Sequence, residues 1–138
     1  MQPAIYLNLV EDFLIESNAN GSLRTIVLTP KRMWGLGLNL ADFTTMLRIA
    51  NLTTNGGVTV KWQYSFDGIN WKVSSTDAVA QKTANGDYAS AFTGAADMLP
   101  FVRLSVEIKD TTAGALQRTA EIGVWAYYKY RVWGKRCR

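Results

Sequence analysis

The stretch VTVKWQYSFDGINWKV, residues 58–73, decides the fold. Val58, Val60, Trp62, Tyr64 and Phe66 fall on one face of an extended chain. Thr59, Lys61, Gln63 and Ser65 fall on the other. Alternation of period two, with β-branched and aromatic residues on one side, is the pattern of a strand buried on one face. Core packing is therefore the expected role of Trp62, Tyr64 and Phe66. Asp67-Gly68 reads as a tight turn, and Trp71-Lys72-Val73 returns beside the first strand.

The same period recurs downstream. Val102, Leu104, Val106 and Ile108 form a stripe against Arg103, Ser105, Glu107 and Lys109. The last run puts Ile122, Val124, Ala126, Tyr128 and Tyr130 on one face and Gly123, Trp125, Tyr127, Lys129 and Arg131 on the other. Upstream, Ile5, Leu7 and Leu9 alternate with polar neighbours, Phe13-Leu14-Ile15 makes a second short run, and Leu23–Thr29 and Thr44–Ala50 read as strands. Asp87–Phe92 is a further short one, and Lys31–Leu38 is ambiguous. Turns are marked at Ser17–Ser22, at Asn55-Gly56-Gly57, at Asn85-Gly86 and at Thr111–Gly114. Helical spacing is nearly absent, which argues against a parallel α/β sheet. The expectation is an all-β chain: one antiparallel β-sandwich of about eight strands over residues 1–138, with jelly-roll connections and a basic C-terminal segment, 129–138.

Composition removes several chemistries. The 138 residues are 48% hydrophobic and 19% charged, which is the make-up of a folded domain and not of a disordered chain. There is no histidine, so most zinc sites and every Ser-His-Asp or Cys-His machine are excluded. The single cysteine, Cys137, has no internal partner for a disulfide. Its basic surroundings would lower a thiol pKa, but a dangling surface thiol is the simpler reading. No apolar run approaches the ~18 residues of a membrane span, and no membrane partner is expected. The N-terminus lacks a basic start, and Glu11 and Asp12 interrupt its apolar stretch, so no signal peptide is read there and folding in a cytoplasm is expected.

The net charge of +4 is unevenly spread. Residues 1–128 hold ten Lys/Arg and eleven Asp/Glu, a net of −1. Lys129, Arg131, Lys135, Arg136 and Arg138 follow without an acid, a net of +5. Such an end favours an anionic partner surface. Trp133 within it supplies an apolar anchor, and Trp125 and Tyr127 lead into it from the face opposite Val124. Together Trp125, Tyr127, Lys129, Arg131, Trp133, Lys135, Arg136 and Arg138 form the candidate partner interface. Aromatic-basic strips of this kind serve protein contact, sugar stacking or single-stranded nucleic acid, of which nucleic acid is the less favoured here.

Other motifs have simpler readings. Gly35-Leu36-Gly37 lacks the third glycine and the helix of a dinucleotide site. Asp67, Asp77, Asp87, Asp97 and Asp110 are expected mostly in loops, as turn formers. A calcium site at one end of the sandwich is the alternative for them.

Two resemblances follow from these residues. Val60–Trp71, followed by Phe101-Val102-Arg103-Leu104, resembles the hairpin and adjoining strand of discoidin-type jelly rolls over about a third of the chain. That resemblance implies carbohydrate binding. The whole chain is similar in style and length to small jelly-roll structural proteins of tailed phages, which use the same hairpin on short, cysteine-poor chains. This second resemblance implies a homo-oligomer: a lattice of identical copies bound to a major capsid or tail protein in the virion, with no chemistry and no cofactor. The expected function is thus a non-enzymatic virion structural protein, decorating a capsid or building part of a tail. A discoidin-like carbohydrate-binding module is the alternative. An enzyme without histidine would need carboxylates or a metal.

Overall fold

A computed structural model describes residues 4–28, 38–39, 43–91, 98–99, 101–112 and 114–129. The side chains of 4–10, 38–39, 43, 91, 98–99 and 128–129 lie outside that description. Among the described residues the chain is all strand and turn. Its elements are β1 (Ala4–Glu16), β2 (Arg24–Val27), β3 (Leu38–Asn39), β4 (Phe43–Ala50), β5 (Gly56–Ser65), β6 (Lys72–Lys82), β7 (Gly86–Ala91), β8 (Met98–Leu99), β9 (Phe101–Asp110) and β10 (Thr119–Lys129).

Two four-stranded sheets carry the fold, in the orders β1-β10-β4-β7 and β2-β9-β5-β6, and β3 pairs with β8 in a small third sheet. With the short β3 and β8 set aside, the first long strand pairs with the last, the second with the next to last, and so inward to the β5–β6 hairpin. Among the described residues every pairing is antiparallel. This is a long hairpin wrapped into two sheets, the jelly-roll topology. It is the sandwich the stripes predict.

The inward stripes meet as expected. Ile15, Leu47, Ile49, Ile122, Val124 and Ala126 from the first sheet face Val58, Val60, Trp62, Val102, Leu104, Val106 and Ile108 from the second, all buried. Each buried Val, Leu or Ile among them contributes roughly 1.5–3 kcal/mol. Tyr64 packs against this cluster half-buried.

Four expectations need correction. The runs at Ile5–Leu9 and Phe13–Ile15 are one strand, β1, whose register against β10 slips between Asn8 and Val10 and again between Val10 and Phe13. Asp12 takes the left-handed conformation there (φ 48°), which a short polar side chain tolerates better than most. Each bulge breaks the period-two count, so one strand reads as two. The returning strand does not stop at Val73 but runs to Lys82, and Ala78 and Val79 are both buried next to a shift in its register. The turn at Asp67-Gly68 is the core of a longer loop, 66–71, between β5 and β6. Phe66 lies beyond the last paired residue, Ser65, and is 76% exposed rather than in the core.

One end of the sandwich is closed by hydrogen bonds. Ser17 N–H donates to Arg118 O and Arg118 N–H to Ser17 Oγ, both at 2.8 Å. The Asp110 carboxylate accepts from Thr112 N–H and Thr112 Oγ1 and stands 3.4 Å from Arg118 Nε. Gly21, at φ +80°, leaves room there that a side chain would not: an added Cβ would stand 2.8 Å from Leu116 O. The opposite end carries the β5–β6 loop.

Candidate functional site

The outer face of the first sheet is set by registry. Trp125 stands between Asn8 on β1 and Met46 on β4, and Tyr127 between Tyr6 and Thr44. Core residues Val124 and Ala126 alternate with them, so Trp125 and Tyr127 point outward. Trp125 is half-buried, with its indole spread over Gly123, where an added Cβ would meet ring atom Cη2 at 2.5 Å. The Arg48 guanidinium lies 5.6 Å from the ring centroid. Arg48 is held in turn by Asp87, with Nε donating to Oδ1 at 2.8 Å. That hydrogen bond raises the Arg48 pKa and lowers that of Asp87. Met46 and Tyr127 complete the patch, 40% and 39% exposed.

The structure therefore brings together only part of the candidate interface. Trp125 and Tyr127 share the outer face, and Lys129 is placed by its backbone pairing with Ala4. Arg131, Trp133, Lys135, Arg136 and Arg138 lie outside the described residues, as do Cys137 and Gly35-Leu36-Gly37. Met46, Arg48 and Asp87 were not anticipated. The signal was present in Thr44–Ala50, where Thr45, Leu47 and Ile49 alternate inward and leave Met46 and Arg48 outside.

The β5–β6 loop is the second feature. Ser65 Oγ accepts from the N–H groups of Asp67 and Gly68 and donates to Asp67 Oδ1. Asp67 Oδ1 also accepts from Ile69 N–H and Asn70 N–H, each at 2.8 Å, and Oδ2 accepts from Asn70 Nδ2. These bonds, led by the backbone N–H of Asn70, hold the carboxyl far below the usual carboxylate range. The loop is locked, yet Phe66 and Ile69 stand 76% and 80% exposed at its tip. A cleft of about 470 Å³ beside it is lined by Tyr64, Phe66, Trp71, Asp67, Asn70 and Lys72, with Ser65. Arg103 stacks on Trp71, 3.9 Å from the ring centroid, and its Nε donates to Gln63 Oε1 at 2.7 Å.

The outer face of the second sheet is polar. Lys61 lies 3.5 Å from Asp77 and 3.8 Å from Glu107, in a groove of about 190 Å³ that Thr59, Gln81 and Lys109 also line. The aspartates thus divide. Asp67 and Asp110 cap turns, Asp77 sits within β6 and pairs with Lys61, against the expectation of a loop, and Asp87 lies in the short strand expected there and pairs with Arg48. Asp97 lies outside the described residues. Among the described residues no group of three or more His, Cys, Asp or Glu gathers as a metal site would require. Among them, too, no helix is long and apolar enough to cross a membrane.

No family model and no curated protein matches the sequence. Solved structures do match. The structure of the Gx strain of infectious bursal disease virus superposes over 95% of this chain and 32% of its own, with a TM-score of 0.57 and 12% identity. The VP2 subviral particle of the same virus superposes over 94% of this chain and 32% of its own, with a TM-score of 0.54 and 10% identity. A CBM22-1–GH10 portion of a Clostridium thermocellum xylanase is more distant, with a TM-score of 0.41, 11% identity, and 91% and 27% of the two chains covered. The chain thus spans about a third of the viral chains it matches, and over nearly all its length it has the β-sandwich fold that they contain.

Proposed function

We propose that this chain is a non-enzymatic structural protein of a virus particle, bound to a major capsid or tail protein through the outer face of its first sheet. The observation that carries the reading is the strip of Met46, Trp125 and Tyr127. These large side chains point away from the core, and their positions are fixed by Gly123, Arg48 and Asp87. Ordered aromatic and methionine side chains with a cation beside them are what protein interfaces enrich. The likeness to the fold of virus-particle chains supports the reading, as does the basic sequence after Tyr128. The partner meets this strip with an apolar patch ringed by acids, in the virion.

Co-sedimentation with purified particles tests this. The chain should sediment with the particle and appear in its mass spectrum in a fixed copy number. Met46→Asp and Tyr127→Asp should each abolish that while leaving the fold intact. Incorporation at wild-type level by both variants would overturn the proposal.

The cleft at the β5–β6 loop favours a second reading, a carbohydrate-binding module, because three aromatic side chains there stand beside an amide, a carboxylate and an ammonium. Retention on a glycan array, lost in Trp71→Ala, would support that reading.

A further inference from the structure

We infer that the chain also binds itself head to tail, the β5–β6 loop of one copy seating on the β1 bulge of the next. This rests on the assembly role proposed above and identifies the contact between neighbouring copies.

The loop has the properties of an anchor. Phe66, Ile69 and Val73 are all exposed, which water disfavours unless something covers them. Asp67 and Ser65 already fix the backbone that carries Phe66 and Ile69, so little conformational freedom remains to be lost on binding. Beside them the Arg103 guanidinium is held flat by Trp71 and Gln63. Among the described residues Arg103 makes no ion pair. An oriented, half-buried guanidinium without an anion fits a carboxylate brought by a partner.

The complement is present on the same chain. Glu11, Asp12, Phe13 and Leu14 are consecutive and all exposed, Leu14 by 61%. They lie on β1, an edge strand of the first sheet, where the bulge pushes the chain out of regular register. Neither Glu11 nor Asp12 makes an ion pair among the described residues, although both, after Asp87, help to raise the Arg48 pKa. Two acids followed by two apolar side chains thus match a cation beside apolar side chains.

The two surfaces stand apart on one molecule. The loop follows Ser65, which pairs with Phe101 at the start of β9. The bulge belongs to the other sheet, and Leu14 pairs with Glu121 near the start of β10. Leu14 thus lies toward the end closed by Asp110 and Arg118, opposite the loop, and the bulge itself, between Val10 and Phe13, lies nearer the middle of β10. A contact between two different patches is heterologous, and it propagates into a ring or an open filament instead of closing as a pair.

Sedimentation velocity of the full chain tests the inference with Ile69→Asp and Leu14→Asp, both at exposed side chains, and with circular dichroism to verify folding. The wild-type chain should form species that grow with concentration. Each variant alone should be monomeric. An equimolar mixture of the two should form a dimer and nothing larger, because one intact loop and one intact bulge remain. The pair Glu11→Gln with Asp12→Asn should weaken association at least about tenfold, the scale of losing a close charge pair. A wild-type chain still monomeric at ~100 µM, or a mixture that stays monomeric, would overturn the contact. A chain that enters particles yet fails these tests overturns the contact and leaves the assembly role standing. One that passes them but never enters particles retains the contact and removes the assembly role.

Discussion

The indole of Trp125 rests on Gly123, two residues back along β10, where any side chain would occupy the same space as the ring. A glycine within a strand is otherwise a cost, since it adds backbone entropy and packs nothing. Here it makes the platform on which an outward tryptophan lies flat. Gly123→Ala should therefore destabilise the fold by about 1–3 kcal/mol through overpacking, or displace the ring. Denaturant unfolding and particle binding together check this. A variant unchanged in both would show that the ring is not seated on residue 123.

Leu104 lies in the middle of β9, pairs with Trp62 across the ladder, and is fully buried. Leu104→Ala should cost about 2–5 kcal/mol, combining lost transfer energy with the cavity left behind. Phe66→Ser should change stability by less than about 0.5 kcal/mol, since the ring is mostly in water. Urea unfolding of the two variants separates them cleanly. A large loss in Phe66→Ser would place that ring back in the core.

These two residues also mark how far the sequence could be read. The stripes of β5, β9 and β10 were legible because each has a ladder on one side without a slip, β5 with β9 and β10 with β4. Phe66 continues the parity of Trp62 and Tyr64 in the sequence, but the ladder ends at Ser65 and parity means nothing beyond it. β1 and β6 were read as fragments because their registers slip, and a bulge moves each later side chain to the other face. Alternation alone put Trp125 and Tyr127 on the face opposite Val124, and the burial of Val124 and Ala126 turns that face outward. Their neighbours Met46, Arg48 and Asp87 did not follow from alternation, because strand order between sequence-distant elements is not written in any local pattern.

Ser65 is buried and serves the loop as an acceptor for the N–H groups of Asp67 and Gly68. Ser65→Ala removes that acceptor and the donor to Asp67, and should cost about 1 kcal/mol, the net worth of such bonds. The larger effect should be local. Amide exchange at Gly68 should quicken well beyond that of the β5 ladder. Unchanged exchange at Gly68 would mean that Asp67 alone holds the loop.

Asp110 gives a pH dependence. Its carboxyl is only 3% exposed and is held by the N–H of Thr112 first, then by the Thr112 hydroxyl, the Leu116 N–H and the charge of Arg118. These lower its pKa from an ordinary 3.8 to about 2. A carboxylate whose folded pKa lies below its unfolded value adds stability above the unfolded value and loses it as the pH falls toward the folded one. The contribution of Asp110 should thus be complete above about pH 4 and gone near pH 2. Asp110→Asn should lower stability at neutral pH and flatten the fall in stability between pH 4 and pH 2. Part of the fall should survive, because Asp67 and Asp87 are also held low. Urea unfolding of both chains at half-unit pH steps checks the slope. Parallel curves, offset by a constant, would mean that residue 110 binds its partners equally well without the charge, and that the acid sensitivity of the closed end lies elsewhere.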